Sequence, residues 1–166
     1  MKKRNDLQSA EQIPKLLKFI IYIISLVSSK ITTSLLGYIF SRPLRHKPHA
    51  REKEFISSSK KETHFIPSIN KMIKTYELKG SHKKVLLVHG WSGRGSQLSS
   101  IATECNKKGL YVVSFDAPAH GGSSSYTTNV PEFVEAINFL NTIKGPFDYA
   151  IGNSFGGASI CLLYTS

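Results

Sequence analysis

Gly152-Asn153-Ser154-Phe155-Gly156 sets a hydroxyl between two glycines at G-x-S-x-G spacing. A serine held on a sharp strand-to-helix turn exposes its Oγ, and glycines two residues to either side keep Cβ atoms out of a crowded bend. Gly157 extends that clearance. Such a hydroxyl can attack an acyl carbon once a base removes its proton. The resulting oxyanion needs donors already in place: the backbone N–H of the residue after the serine, here Phe155, and a second N–H from an earlier loop. Val88-His89-Gly90-Trp91, at the end of an apolar run, offers that loop, with Trp91 as the second donor and His89 and Gly90 as its support. Gly152 and Gly156 support the elbow itself.

Two histidines and an aspartate lie ahead of the serine, where triad members of such a site do not stand, because acid and histidine follow the nucleophile in sequence. His89 therefore reads as a structural histidine in a turn. His120 and Asp116, in Asp116-Ala117-Pro118-Ala119-His120-Gly121-Gly122-Ser123, read as loop organisers. The twelve residues after Ser154 contain no Asp, Glu or His, and a serine without a base is a weak nucleophile. The 166-residue chain is thus expected to be inactive alone and to derive from a longer reading frame.

Competing chemistries fail on particular residues. Gly90-Trp91-Ser92-Gly93-Arg94-Gly95-Ser96 has P-loop spacing, but Ser96 stands where lysine is required. Gly152–Gly157 lacks the G-x-G-x-x-G order of a dinucleotide site. Cys105 and Cys161 form neither a Cys-x-x-Cys nor a metal-ligand spacing, and Cys105 falls on an apolar helix face. Neither metal nor cofactor is expected.

The elements that must position the elbow follow from periodicity. Thr63–Pro67 and Lys71–Leu78 read as an opening pair of strands, and Lys84–Val88 as a strand buried on both faces. Leu98, Ile101, Ala102 and Cys105 recur at helical spacing, with Gly109 beyond the helix end. Leu110–Phe115 is the next buried strand. Asn129 with Glu132 resembles a capping box, and Phe133, Ile137 and Leu140 form one apolar face before Gly145-Pro146 stops that helix. Phe147–Ile151 follows as a third core strand.

The charge lies elsewhere. Residues 1–80 hold 16 Lys and Arg against 6 acids, whereas residues 81–166 hold 6 against 5. No basic patch near the elbow is interleaved with aromatics, which leaves no nucleic-acid partner to expect. Between Lys18 and Arg42 lie 23 mostly apolar residues, flanked by Lys2, Lys3, Arg4, Lys15 and Lys18 on one side and by Arg42, Arg45, Lys47, Arg51 and Lys53 on the other. Twelve Leu, Ile, Val or Phe side chains, at roughly 0.3–0.6 kcal/mol each, are set against about 3 for Lys30 and against seven Ser and Thr, so insertion is close to neutral. Two readings stay open: a membrane anchor over residues 15–41, or a pair of helices, broken near Lys30 or Gly37, packed on the domain or lying in the interface. Localisation is accordingly membrane-associated or cytoplasmic. Arg42–Pro48 reads as an extended, basic linker. The division expected is an apolar helical and basic segment at 1–50 and a truncated α/β domain at 51–166, its sheet incomplete at the C-terminus.

Taken together, the HGW loop, the D-x-P-x-H-G segment and the elbow over residues 61–166 resemble the α/β-hydrolase superfamily, particularly its bacterial esterase-like members. The resemblance implies a mostly parallel sheet flanked by helices and a serine hydrolase acting on a small-molecule acyl substrate, with Ser154 as nucleophile. The alternatives are a non-catalytic membrane-associated module or an acyltransferase of the same fold.

Overall fold

The computed structural model describes residues 14–81 and 83–165, which fall into two compact units, one up to Phe40 and one from Ser41. Lys2, Lys3 and Arg4 of the first basic flank lie outside the described residues.

The first unit consists of two helices. α1 (Lys15–Val27) and α2 (Ser29–Phe40) are separated by Ser28, whose extended backbone (φ −159°, ψ 118°) interrupts the helix two residues before Lys30, while Gly37 sits inside α2. The thirteen residues of α1 extend about 20 Å, against a hydrocarbon core of about 30 Å. Among the described residues no helix is long and apolar enough to cross a membrane.

The second unit is a five-stranded sheet in the order β1-β2-β4-β3-β5. Its strands are β1 (Lys60–Ile66), β2 (Lys71–Leu78), β3 (Lys84–Val88), β4 (Tyr111–Asp116) and β5 (Tyr149–Gly152). Only β2 runs against the others, being antiparallel to both β1 and β4, while β3 pairs in parallel with β4 and β5. Helices α3 (Lys53–Ser58), α4 (Ser99–Lys107), α5 (Val130–Lys144) and α6 (Phe155–Thr165) complete the unit.

β3 is apolar and buried from Val85 to Val88 because both its faces are covered. Leu86 and Val88 pack with Phe133, Ile137 and Leu140 of α5, whereas Val85 and Leu87 pack with Phe55 of α3 and Ala102 of α4. The Asn129 side chain caps α5 by accepting from the Glu132 N–H at 3.0 Å. Glu132 does not return the bond. Its carboxylate is taken by Lys71 at 2.6 Å, an ion pair to β2 that holds α5 against the sheet.

Two expectations need correction. The strand after α5 is shorter and later than Phe147–Ile151 and lies at the sheet edge, with Tyr149 and Ile151 exposed. Asp148 is used at the strand entrance, its N–H and carboxylate bonding the Lys84 backbone. Arg42–Pro48 is no free linker either. The Leu44 N–H donates to Ser92 Oγ at 3.0 Å, and the Arg45 guanidinium donates to the carbonyls of Ala119, Ser123 and Ser125.

The segment ends on a buried ion pair. Arg94 Nε and Nη2 reach the two Glu52 oxygens at 2.7 and 2.6 Å, and Ser96 Oγ adds a third bond at 2.7 Å. Burial raises the Glu52 pKa, but the bonds from Arg94 and Ser96 outweigh it and hold the carboxyl below its usual value. Removing one member of a fully buried pair strands the other charge, typically at about 3–5 kcal/mol. Glu52→Ala is therefore expected to lower unfolding free energy by about 3 kcal/mol, read as a lower urea midpoint at unchanged slope.

Candidate active site

β5 ends at Gly152 and α6 begins at Phe155, leaving Asn153 and Ser154 to make the whole reversal. Ser154 adopts φ +51°, a left-handed backbone that non-glycine residues seldom take, and it is exposed to solvent. The bend is tied on both sides. The Asn153 N–H donates to the Val88 carbonyl at 2.9 Å, and the Gly156 N–H to the Asn153 carbonyl at 2.9 Å.

The glycines are required by distance. A Cβ on Gly156 would lie 2.4 Å from the Val88 carbonyl oxygen and 2.5 Å from that of His89, and one on Gly152 would lie 2.4 Å from the Gly157 nitrogen. Because those neighbours are main chain, they cannot swing aside. Gly156→Ala should cost about 2–3 kcal/mol, seen as a lowered Tm, and should displace the serine from the β3 loop.

That loop comes into direct contact with the elbow. A Cβ on Gly90 would stand 3.3 Å from Ser154 Cβ and 3.1 Å from the Asn153 carbonyl oxygen. Beneath it, Phe155 meets Trp91 edge-on at 5.1 Å between centroids and Phe133 at 4.9 Å. The Phe155 N–H opens α6, where the first amides have no carbonyl of their own helix to bond.

Both histidines are consumed by the backbone. His89 is fully buried; Nδ1 donates to the Gly90 carbonyl at 2.7 Å, so Nε2 is the acceptor for the Ala117 N–H at 3.0 Å. His120 repeats the arrangement, donating from Nδ1 to the Pro118 carbonyl at 2.9 Å and accepting the Ser92 N–H at 3.0 Å. One neutral tautomer satisfies both bonds of each ring, and burial pushes both pKa values down to about 4. Neither ring has a nitrogen left for Ser154. Each instead fixes the β3 loop against the loop after β4.

Asp116 has a similar task. Its carboxylate accepts from the Gly95 N–H at 2.7 Å, the Gly122 N–H at 2.8 Å and the Tyr76 hydroxyl at 3.0 Å, and burial raises its pKa. A Cβ on Gly121, at φ +47°, would fall 2.3 Å from that carboxyl, which explains the glycine there. Among the described residues, Glu62, His64 and Glu77 bring possible metal-ligand atoms within 4.8 Å of one another. The Lys144 ammonium already bridges the two carboxylates, reaching Glu77 at 2.9 Å, and holds the Glu62 pKa down to about 2.

A serine with left-handed backbone thus stands at the end of a parallel strand, against a glycine-bearing loop from the neighbouring strand. The Alpha/beta hydrolase family matches residues 85–165. An esterase of Pyrococcus furiosus superposes with a TM-score of 0.60 at 21% identity, over 75% of this chain and 52% of that chain. A thioesterase domain from the curacin biosynthetic pathway gives 0.59 at 19%, over 64% and 40% respectively. An epoxide hydrolase from Vigna radiata gives 0.57 at 13%, over 65% and 36%. At these identities what is shared is the fold. Residues 85–165 are thus similar to that family, and the chain spans about half the length of that esterase. A search of curated proteins found no match.

Proposed function

We propose that this chain carries the nucleophile and oxyanion loop of a serine hydrolase acting on acyl esters or thioesters of small molecules. The reading rests on Ser154, whose backbone at φ +51° and exposed hydroxyl stand against the Gly90 loop. Ser154 Oγ attacks the acyl carbon, its proton passes to a general base, and the Phe155 and Trp91 N–H groups hold the oxyanion. Collapse expels the alcohol or thiol, which takes up the proton, and water then releases the acid from the acyl-serine. The base is neither His89 nor His120, whose nitrogens are bonded to backbone. The chain order of this fold assigns it to sequence after the serine.

The test is covalent. A fluorophosphonate probe offered to the natural protein should modify Ser154, and Ser154→Ala should abolish that modification. Labelling that is equal in both, or a folded natural protein that takes no label, would overturn the proposal.

A further inference from the structure

Residues 12–40 contain no Asp or Glu, yet carry Lys15, Lys18 and Lys30. Within that stretch α1 and α2 leave many apolar side chains exposed. Leu16, Phe19, Tyr22, Leu26, Val27 and Ile31 are between 58% and 80% exposed, whereas Leu17, Ile21 and Ile24 are partly covered and Thr32 is buried. Large contiguous apolar surface on a chain in water marks a surface that meets something else.

The chemistry of the stretch selects the occupant. Thirteen residues of α1 are too short to cross a bilayer, but a helix can lie flat with apolar side chains among the acyl chains. Lys18 and Lys30, both exposed, have stems long enough to leave that layer with their ammonium groups in the headgroups. Tyr22 is the type of side chain that prefers such a boundary. A run of cations without an acid is complementary to an anionic lipid surface.

We propose that α1 and α2 form a lipid-docking segment that seats this chain on an anionic membrane surface without crossing it. The partner is the headgroup and outer acyl region of acidic phospholipid.

Flotation of the 166-residue chain with vesicles tests this. With phosphatidylcholine containing about one-third phosphatidylglycerol, binding should exceed that to phosphatidylcholine alone by about tenfold, and about 1 M salt should remove most of the difference. Lys18→Gln with Lys30→Gln should weaken binding only to the anionic vesicles. Leu26→Asn with Val27→Asn should weaken it to both, about tenfold, while leaving the thermal unfolding of the sheet unit unchanged. Equal binding to neutral and anionic vesicles overturns the proposal. So does a chain that ignores vesicles and instead dimerises in sedimentation equilibrium, since a second copy would then be the occupant.

Discussion

Ser154→Ala is expected to reduce ester hydrolysis by the natural protein about 10⁴-fold or more, with the fold intact. The loss should fall on kcat, because the hydroxyl contributes to the bond being made and little to ground-state binding. Ser154→Gly separates chemistry from backbone. At φ +51° a glycine relieves the left-handed conformation, so this variant should be as inactive as the alanine form and about 1 kcal/mol more stable than the parent. Activity measured against a p-nitrophenyl ester, paired with urea midpoints, checks both. A glycine variant that retains turnover would remove Ser154 from the reaction, and one that loses stability would mean that its hydroxyl supports the fold.

Acidification should unfold the sheet unit from its loops. His89 and His120 titrate at about 4 in the folded chain against about 6.5 when unfolded, because burial penalises the charged ring. The unfolded state therefore binds more protons between these values, and stability present above pH 6.5 is lost as pH falls toward 4. For one fully buried ring the change is about 3 kcal/mol. The two rings lie 4.9 Å apart, so their losses are coupled and do not simply add. Asp116 works in the opposite direction, since a raised carboxyl pKa favours the folded chain as it becomes protonated. Glu62, held down to about 2, adds acid lability, but only below its ordinary value of 4.5. Urea midpoints taken from pH 7.5 to 4.5 should fall steeply below 6.5, and His120→Gln should be weaker at neutral pH and flatter across that window. A flat profile in the parent would mean that the rings are not buried as described.

Much of this arrangement was legible in residue order. The G-x-S-x-G spacing marked the bend before any coordinates, because few residue types tolerate a turn in which a Cβ meets main chain at 2.4 Å. β3 matched its expected bounds, Lys84–Val88, residue for residue, since a strand covered on both faces leaves no position for a polar side chain after the lysine at its entrance. What stayed hidden depended on contacts distant in sequence. Nothing local distinguishes Glu52 from any surface glutamate; its role appears only when Arg94 and Ser96, more than forty positions away, close on it. Arg42–Pro48 carries prolines and cations like a solvated linker, and only the three carbonyls facing Arg45 show otherwise. Phe133 was legible as core, but not as a wall against Phe155 behind the serine. Gly121 was the available clue that the Asp116 carboxylate faces inward, because a side chain there would occupy its place.

The three bonds of Arg45 also settle where traction on the backbone is felt. A pull delivered along Ser41–Leu44 meets Ser92 and the carbonyls of Ala119, Ser123 and Ser125 before it meets any strand. Those residues shape the loops joined by His120, and Ser123 is bonded in turn to Lys74 of β2 and Asp116 of β4, so a load on this stretch would reach Trp91 and the sheet together.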